Sequence, residues 1–189
     1  FDTKIIEENE SDIEMLSTFI LNNVNNYTTS SMGRLFDAVS AITGVRNTVT
    51  YEGQAAIELE QAANSYKGKV KCYPFDIIEG KIITLGIFGI INGVVKDKMN
   101  GCSSSFIAAR FHETVAEIIL ETALELRNYT NINHIALSGG VFQNIYLLNR
   151  VNIKLKSANF NILLNRILPA NDGGISLGQA VLALYRKGE

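Results

Sequence analysis

The chain has 189 residues, 47% of them apolar and 19% charged. At this length, folding can hide roughly 70% of the extended chain's surface, so a real core is possible. Seventeen basic against nineteen acidic side chains leave a net charge of −2, which excludes a disordered charged tail and a field strong enough for non-specific nucleic-acid binding.

Phe1 opens into the acidic run Glu7, Glu8, Glu10, Asp12 and Glu14 rather than a basic, then apolar, leader. A cytoplasmic protein is expected, and the lack of an initiator methionine suggests a chain cut from a longer one. From Ser11 to Leu21 the residues Ile13, Leu16, Phe19 and Ile20 recur at helical spacing, which predicts a helix packed on one face. Residues 1–29 thus read as a helical lead-in to a single domain covering 1–189, with 22–31 as a polar loop. Leu35, Phe36, Val39 and Ile42 predict a second helix ending near Gly44, and an Ala- and Glu-rich stretch from Glu52 to Tyr66 predicts a third.

Val70 to Ile78 is strand-like apart from Pro74, and Glu79-Gly80 marks a turn into Lys81. Ile82 to Val95 is the longest apolar stretch. Thr84, Gly86, Gly89, Asn92 and Gly93 interrupt it, so it falls short of the ~20 apolar residues a spanning helix needs, and no membrane segment is expected. Its Ile87, Ile90, Ile91, Val94 and Val95 fit both a helical stripe and strands, and helix is the expectation. Ser103 to Tyr129 predicts one long amphipathic helix, with Glu113, Glu117, Glu121 and Glu125 away from the apolar face.

The remainder reads as strand His134–Leu137, glycine turn, helix, a second, buried strand Phe160–Leu168, glycine turn, and helix Ile175–Tyr185. This is an α/β signature with parallel strands. Cys72 and Cys102 lack CxxC spacing and are expected as reduced thiols.

Two motifs carry chemistry. Ser138 to Asn144 (SGGVFQN) places two glycines where a strand hands over to a helix, so that bare amides could face an anion. It is neither a Walker loop nor a dinucleotide-binding fingerprint, and a tight turn without a ligand would read the same way. Asn171 to Gly174 (NDGG) repeats the arrangement, with Asp172 either a metal ligand or a cap of the last helix. Two such turns at neighbouring strand ends point to a nucleotide cleft. His112 and His134 are the only histidines and do not pair at metal-binding spacing, so a structural or surface role is expected for His112 rather than a catalytic one.

Four blocks, SSMGRLFDAV (Ser30–Val39), YEGQAA (Tyr51–Ala56), ALSGGVFQN (Ala136–Asn144) and PANDGG (Pro169–Gly174), resemble in sequence and order the carboxy-terminal part of the HypF carbamoyltransferases of NiFe-hydrogenase maturation. That resemblance implies an α/β fold of the actin, Hsp70 and sugar-kinase type (ASKHA), a mixed sheet with flanking helices. This chain would be the second lobe of the carbamoyltransferase module, related to tRNA threonylcarbamoyladenosine synthases and antibiotic O-carbamoyltransferases. It implies ATP or a carbamoyl-adenylate, made from carbamoyl phosphate and ATP elsewhere in the protein, as bound nucleotide, and the C-terminal cysteine of HypE as acceptor. It implies that Gly139, Gly140 and Asn144 hold phosphate and adenosine, that Asp37, Gly53 and Glu58 line ribose and base, and that Asp172 binds a divalent metal (iron, zinc or magnesium).

The family's metal site also takes an HxxxH pair from the first lobe, and this sequence has none. One carboxylate does not hold a metal tightly, so the chain alone is expected to be inactive and to require the first lobe. The zinc-finger-like and acylphosphatase-like regions of HypF are also outside it. The alternative is a non-catalytic interaction module docking the partner lobe or HypE, to which Ile87 to Val95 could contribute, although ordinary core burial is the first expectation for that segment. A sugar or acetate kinase would need phosphate loops from another half.

Overall fold

A computed structural model describes residues 10–24, 29–78, 80 and 82–186. Helix α1 is Glu10–Leu21, α2 Met32–Thr43 and α3 Gln54–Ser65. A hairpin of β1 (Asp76–Ile78) and β2 (Thr84–Gly86) leads to α4 (Phe88–Met99) and then α5 (Ser104–Thr130). Strand β3 (His134–Leu137), a 3-10 turn (Gly140–Gln143), α6 (Ile145–Ser157), β4 (Asn161–Leu164), a second 3-10 turn (Asp172–Gly174) and α7 (Ile175–Arg186) complete the order.

The fold is α/β. Among the described residues the strands form two separate pairs, β1 with β2 antiparallel and β3 with β4 parallel, the latter in the register His134 to Asn161 through Leu137 to Leu164. Most of the mass is helical, and α5 is the axis, packed against α2, α3, α4 and α6. Its start is fixed by Ser103, whose hydroxyl accepts the Phe106 amide at 3.3 Å, and its end by Asn131 in the left-handed region.

The middle of α5 is buried almost all round. Ile107, Phe111 and Val115 share one core cluster with Phe36, Val39, Leu59, Ile90 and Val94 and with Leu147, Val151 and Leu155. The expected outward acidic stripe therefore breaks at Glu113. That carboxylate is buried and accepts from Arg150 at 2.6 Å and from Lys154 at 2.8 Å, while Lys154 also reaches Glu117. A buried carboxylate survives only when paired, and α6 supplies both cations.

Further differences from the sequence reading concern packing. Helix α1 forms, but its apolar stripe stays open, with Leu16 53% and Ile20 61% exposed. Residues 1–9, which hold Glu7 and Glu8, and residues 25–28 of the predicted loop lie outside the description, as do Glu79 and Lys81 of the expected turn. The segment after Gly80 is helical as expected, but only from Phe88, after the short strand β2.

Ile90 and Val94 of this segment are core residues, in line with the core burial expected first, while Ile82, Ile87 and Phe88 stay exposed. Strand β4 stops at Leu164 instead of Leu168, and Leu163 and Ile167 are exposed, so it is not the buried strand expected. No residue of α7 is buried. Cys72 and Cys102 are half-buried free thiols.

Candidate functional site

The crevice is built from three pieces. The first is the start of α2, where the Ser31 hydroxyl caps the Arg34 amide and Gly33 keeps the wall low. The second is the start of α3, entered through Gly53 at φ +78°, a left-handed conformation that costs other residues strain. Helical spacing puts Gly53, Ala56, Ile57 and Glu60 on one side of α3, and these are the residues it gives to the cleft. The third is the pair of loops at the carboxyl ends of β3 and β4.

Those two loops are joined directly. The Gly139 amide, at φ +101°, donates to the Ala170 carbonyl at 2.6 Å, which ties SGG to PANDGG. Together the three pieces enclose about 570 Å3, lined by Arg34, Asp37, Gly53, Gly140, Val141 and Asp172 among others. An adjoining recess of about 370 Å3 runs deeper past Phe36, Ile57, Glu60 and Asn144. Both volumes lie within the roughly 300–1,000 Å3 of small-molecule sites.

The first 3-10 turn leaves the amides of Gly140 and Val141 without a partner among the described residues, because its own bonds use Phe142 and Asn144. A Cβ built on Gly140 meets nothing within 4 Å, so the glycine keeps this side of the crevice open. The second and third amides of α6, by contrast, are already used. Asn144 accepts the Leu147 amide at 2.8 Å and Glu60 the Tyr146 amide at 3.0 Å. The turn therefore offers the adjacent amides of Gly140 and Val141 to an anion.

The sequence-selected residues separate on this geometry. Asp37, Gly53, Gly140 and Asp172 line one crevice, and Gly139 anchors its floor. Asn144 borders the deeper recess, but both ends of its carboxamide are engaged, Oδ1 by Leu147 and Nδ2 by His112 at 2.9 Å. Glu58 is not among the lining residues. It is held by Arg46 at 2.6 Å and 2.8 Å and by Gln54, and these hydrogen bonds keep its carboxyl below the usual range. Asn171, rather than Asp172, makes the side-chain cap before α7, accepting the Gly173 amide at 3.1 Å. Asp172 is left exposed in the crevice wall.

Three charged crevice residues are absent from the sequence reading of the site: Arg34, which pairs with Asp37 at 2.7 Å, and Glu52 and Glu60. Their spacing around Gly53 and Ala56 was the available signal. Arg34 is the one basic residue lining the larger cavity, against the carboxylates of Asp37, Glu52 and Asp172. A phosphate there needs further positive charge besides the amides. Asp172 fits as one carboxylate of a metal site but not as the whole of it, since no three His, Cys, Asp or Glu side chains cluster for a metal among the described residues.

A family model described as "Carbamoyltransferase, Kae1-like Domain, second subdomain" matches residues 2–179. The chain belongs to this family. It is 32% identical over 95% of its length to the probable carbamoyltransferase HypF of Methanocaldococcus jannaschii and 37% identical over 84% to the carbamoyltransferase HypF of Synechocystis. It covers 23% and 20% of those proteins. A crystal structure of full-length HypF in a phosphate- and nucleotide-bound form superposes with a TM-score of 0.88 at 39% identity, over 96% of this chain and 24% of that one. A tRNA N6-adenosine threonylcarbamoyltransferase of Thermosipho africanus is 26% identical over 82% of the chain and 47% of that protein, which bears out the kinship read in the motifs. The match places the chain with carbamoyltransferases rather than with sugar or acetate kinases, and the chain spans about a quarter of its HypF relatives.

Proposed function

We propose that this HypF-family chain is the nucleotide-facing lobe of a carbamoyltransferase module and that its crevice holds ATP or carbamoyl-adenylate. The supporting observation is the common crevice of the two glycine loops, with the Gly140 and Val141 amides free beside Asp37, Gly53 and Asp172. In this reading the two amides meet the phosphate, Asp37 accepts a ribose hydroxyl and the deeper recess beside Phe36 and Ile57 takes the base. The transfer would pass the carbamoyl carbon from the adenylate's phosphate oxygen to the thiolate of the C-terminal cysteine of HypE. A C–S bond forms, the C–O bond breaks and AMP leaves.

The first lobe completes the site in this account. The charge of the cavity supports that view: three carboxylates face one arginine, so this lobe by itself repels phosphate more than it attracts it. Asp172 would contribute one ligand to a metal otherwise held by the first lobe. The chain alone is then inactive, and in a protein carrying both lobes Asp172→Ala lowers metal content and carbamoyl transfer together.

Calorimetry with ATP on a protein that joins this chain to the family's first subdomain tests the crevice. Gly140→Asp places a carboxylate against the phosphate without steric cost to the fold. Like-charge juxtaposition costs several kcal/mol, so ATP affinity falls at least about tenfold while the melting temperature stays unchanged. Unaltered affinity would place the phosphate elsewhere.

A docking role accompanies this reading, and the exposed apolar residues of α1 and α7 favour it. The partner in this proposal is the first lobe, with HypE meeting the assembled module. Sedimentation of the chain mixed with separately produced first lobe yields a complex if this holds, and two independent species if not.

A further inference from the structure

Behind the phosphate loop, the structure buries an imidazole that no step above uses. His112 has no exposed surface and lies on α5, beneath the point where the glycine turn becomes α6. Its Nε2 stands 2.9 Å from Asn144 Nδ2 and its Nδ1 2.7 Å from the Ala108 carbonyl. Phe36 and Tyr146 each meet its ring edge to face at 5.2 Å, Phe36 from the wall of the deeper recess and Tyr146 from the first turn of α6.

The hydrogen-bond network fixes the proton on this ring. The Leu147 amide can only donate, so Asn144 must present Oδ1 to it. That turns the Asn144 NH2 toward His112, whose Nε2 must therefore accept. The single ring proton then sits on Nδ1, where the Ala108 carbonyl receives it. Each partner forces the next, from a helix amide to an imidazole tautomer. Protonation of Nε2 would set two donors face to face in a buried site, and burial holds the imidazole pKa down to about 4. Of the side chains facing the ring from other elements, Phe36, Asn144 and Tyr146, only Tyr146 titrates, and burial raises it.

We propose that His112 is the positioning residue of the nucleotide loop: its neutral Nδ1–H tautomer locks the Asn144 carboxamide and so fixes the hand-over from the Gly139–Gln143 turn to α6. This rests on the reading of the crevice as a nucleotide site and adds a residue to it that touches no ligand. The geometry explains why Asn144, drawn by its motif toward the ligand, is turned inward. The carboxamide caps α6 on one side and is held from beneath on the other, so the free amides of Gly140 and Val141 start from a fixed point.

The test uses two substitutions in a protein carrying both subdomains. His112→Gln keeps an acceptor for Asn144 and a donor for Ala108 on one planar group, whereas His112→Leu keeps volume and removes both. ATP affinity by calorimetry stays within about threefold in the glutamine variant and falls roughly ten- to a hundredfold in the leucine variant, the penalty of displaced binding groups. Amide exchange at Leu147, Gly140 and Val141 accelerates in the leucine variant and stays near wild type with glutamine. Equal ATP affinity in all three proteins overturns the proposal.

If the leucine variant does not fold, nitrogen NMR of the wild type decides: a proton on Nδ1 and a bare Nε2 are expected, and the opposite tautomer overturns the lock. Should wild type bind no ATP while the tautomer and the exchange pattern hold, the nucleotide reading fails and the locked turn stands.

Discussion

At the scale of single residues, two neighbours on α5 make the fold sensitive to acid by different routes. In the unfolded chain a histidine titrates near 6.5, whereas burial, partly opposed by the Ala108 carbonyl, pushes His112 down to about 4. The native state therefore refuses a proton that the unfolded chain accepts. The resulting stability is full above about pH 6.5 and is lost as pH falls to about 4, by roughly 3 kcal/mol. Glu113 adds to this. Burial alone would raise its carboxyl, but Arg150 and Lys154 outweigh burial and hold it lowered, so its contribution is present above the usual carboxylate range and disappears below it. Urea denaturation followed by circular dichroism shows a midpoint that falls from pH 7 toward pH 4, and His112→Gln removes the upper part of that slope. A midpoint flat from pH 7 to pH 5 contradicts this account. Glu113→Gln leaves two cations facing a neutral group and costs about 2 kcal/mol at neutral pH, below the figure for a fully buried pair because Arg150 is 41% exposed.

At the scale of elements, the sequence is most legible where local signals agree with packing. Ser103 and the apolar stripe of α5, Gly44 after α2, and the glycine turns after β3 and β4 all lie where caps and breakers predict them. Glu113 departs from the outward position its spacing predicts, because surface and buried carboxylates look alike until the facing helix is known, and Arg150 and Lys154 stand 37 and 41 positions away. The ambiguity of Ile82 to Val95 resolves on its glycines. Gly89 and Gly93 bring α4 against Pro74 and Tyr73, where added Cβ atoms would lie 2.5 Å from the Pro74 carbonyl oxygen and overlap the Tyr73 ring. The ring cannot step aside, since its hydroxyl donates to Asp97 at 2.8 Å and Arg110 covers its face at 4.1 Å. Gly93→Ala therefore destabilises by about 2 kcal/mol through overpacking, despite alanine's better helix propensity. Thermal denaturation reads this as a drop of several degrees, and a gain would show that α4 stands further from Tyr73.

At the scale of the whole molecule, the crevice residues were legible as glycine loops but not as a surface. Nothing in the spacing showed that Asn144 faces inward to His112 or that Arg46 claims Glu58, because each partner comes from a distant element. The same gap explains β4 and α7. The strand pattern predicts burial for β4, yet Leu163 is 55% exposed, and on α7 Leu182 and Leu184 are 60% and 73% exposed. Large open apolar surface of this kind marks a contact face, and the first lobe is the partner proposed for it. Hydrogen exchange in the chain alone is expected to find α7 amides poorly protected, and to find them slowed when the first subdomain is present. Equal protection in both would separate α7 from the lobe interface. The central claim, that the two glycine loops receive a nucleotide phosphate, is tested most directly by a crystal structure of the two-lobed protein with a non-hydrolysable ATP analogue. The account predicts a phosphate oxygen within hydrogen-bond distance of the Gly140 and Val141 amides. A nucleotide bound elsewhere, with those amides facing solvent, would contradict it.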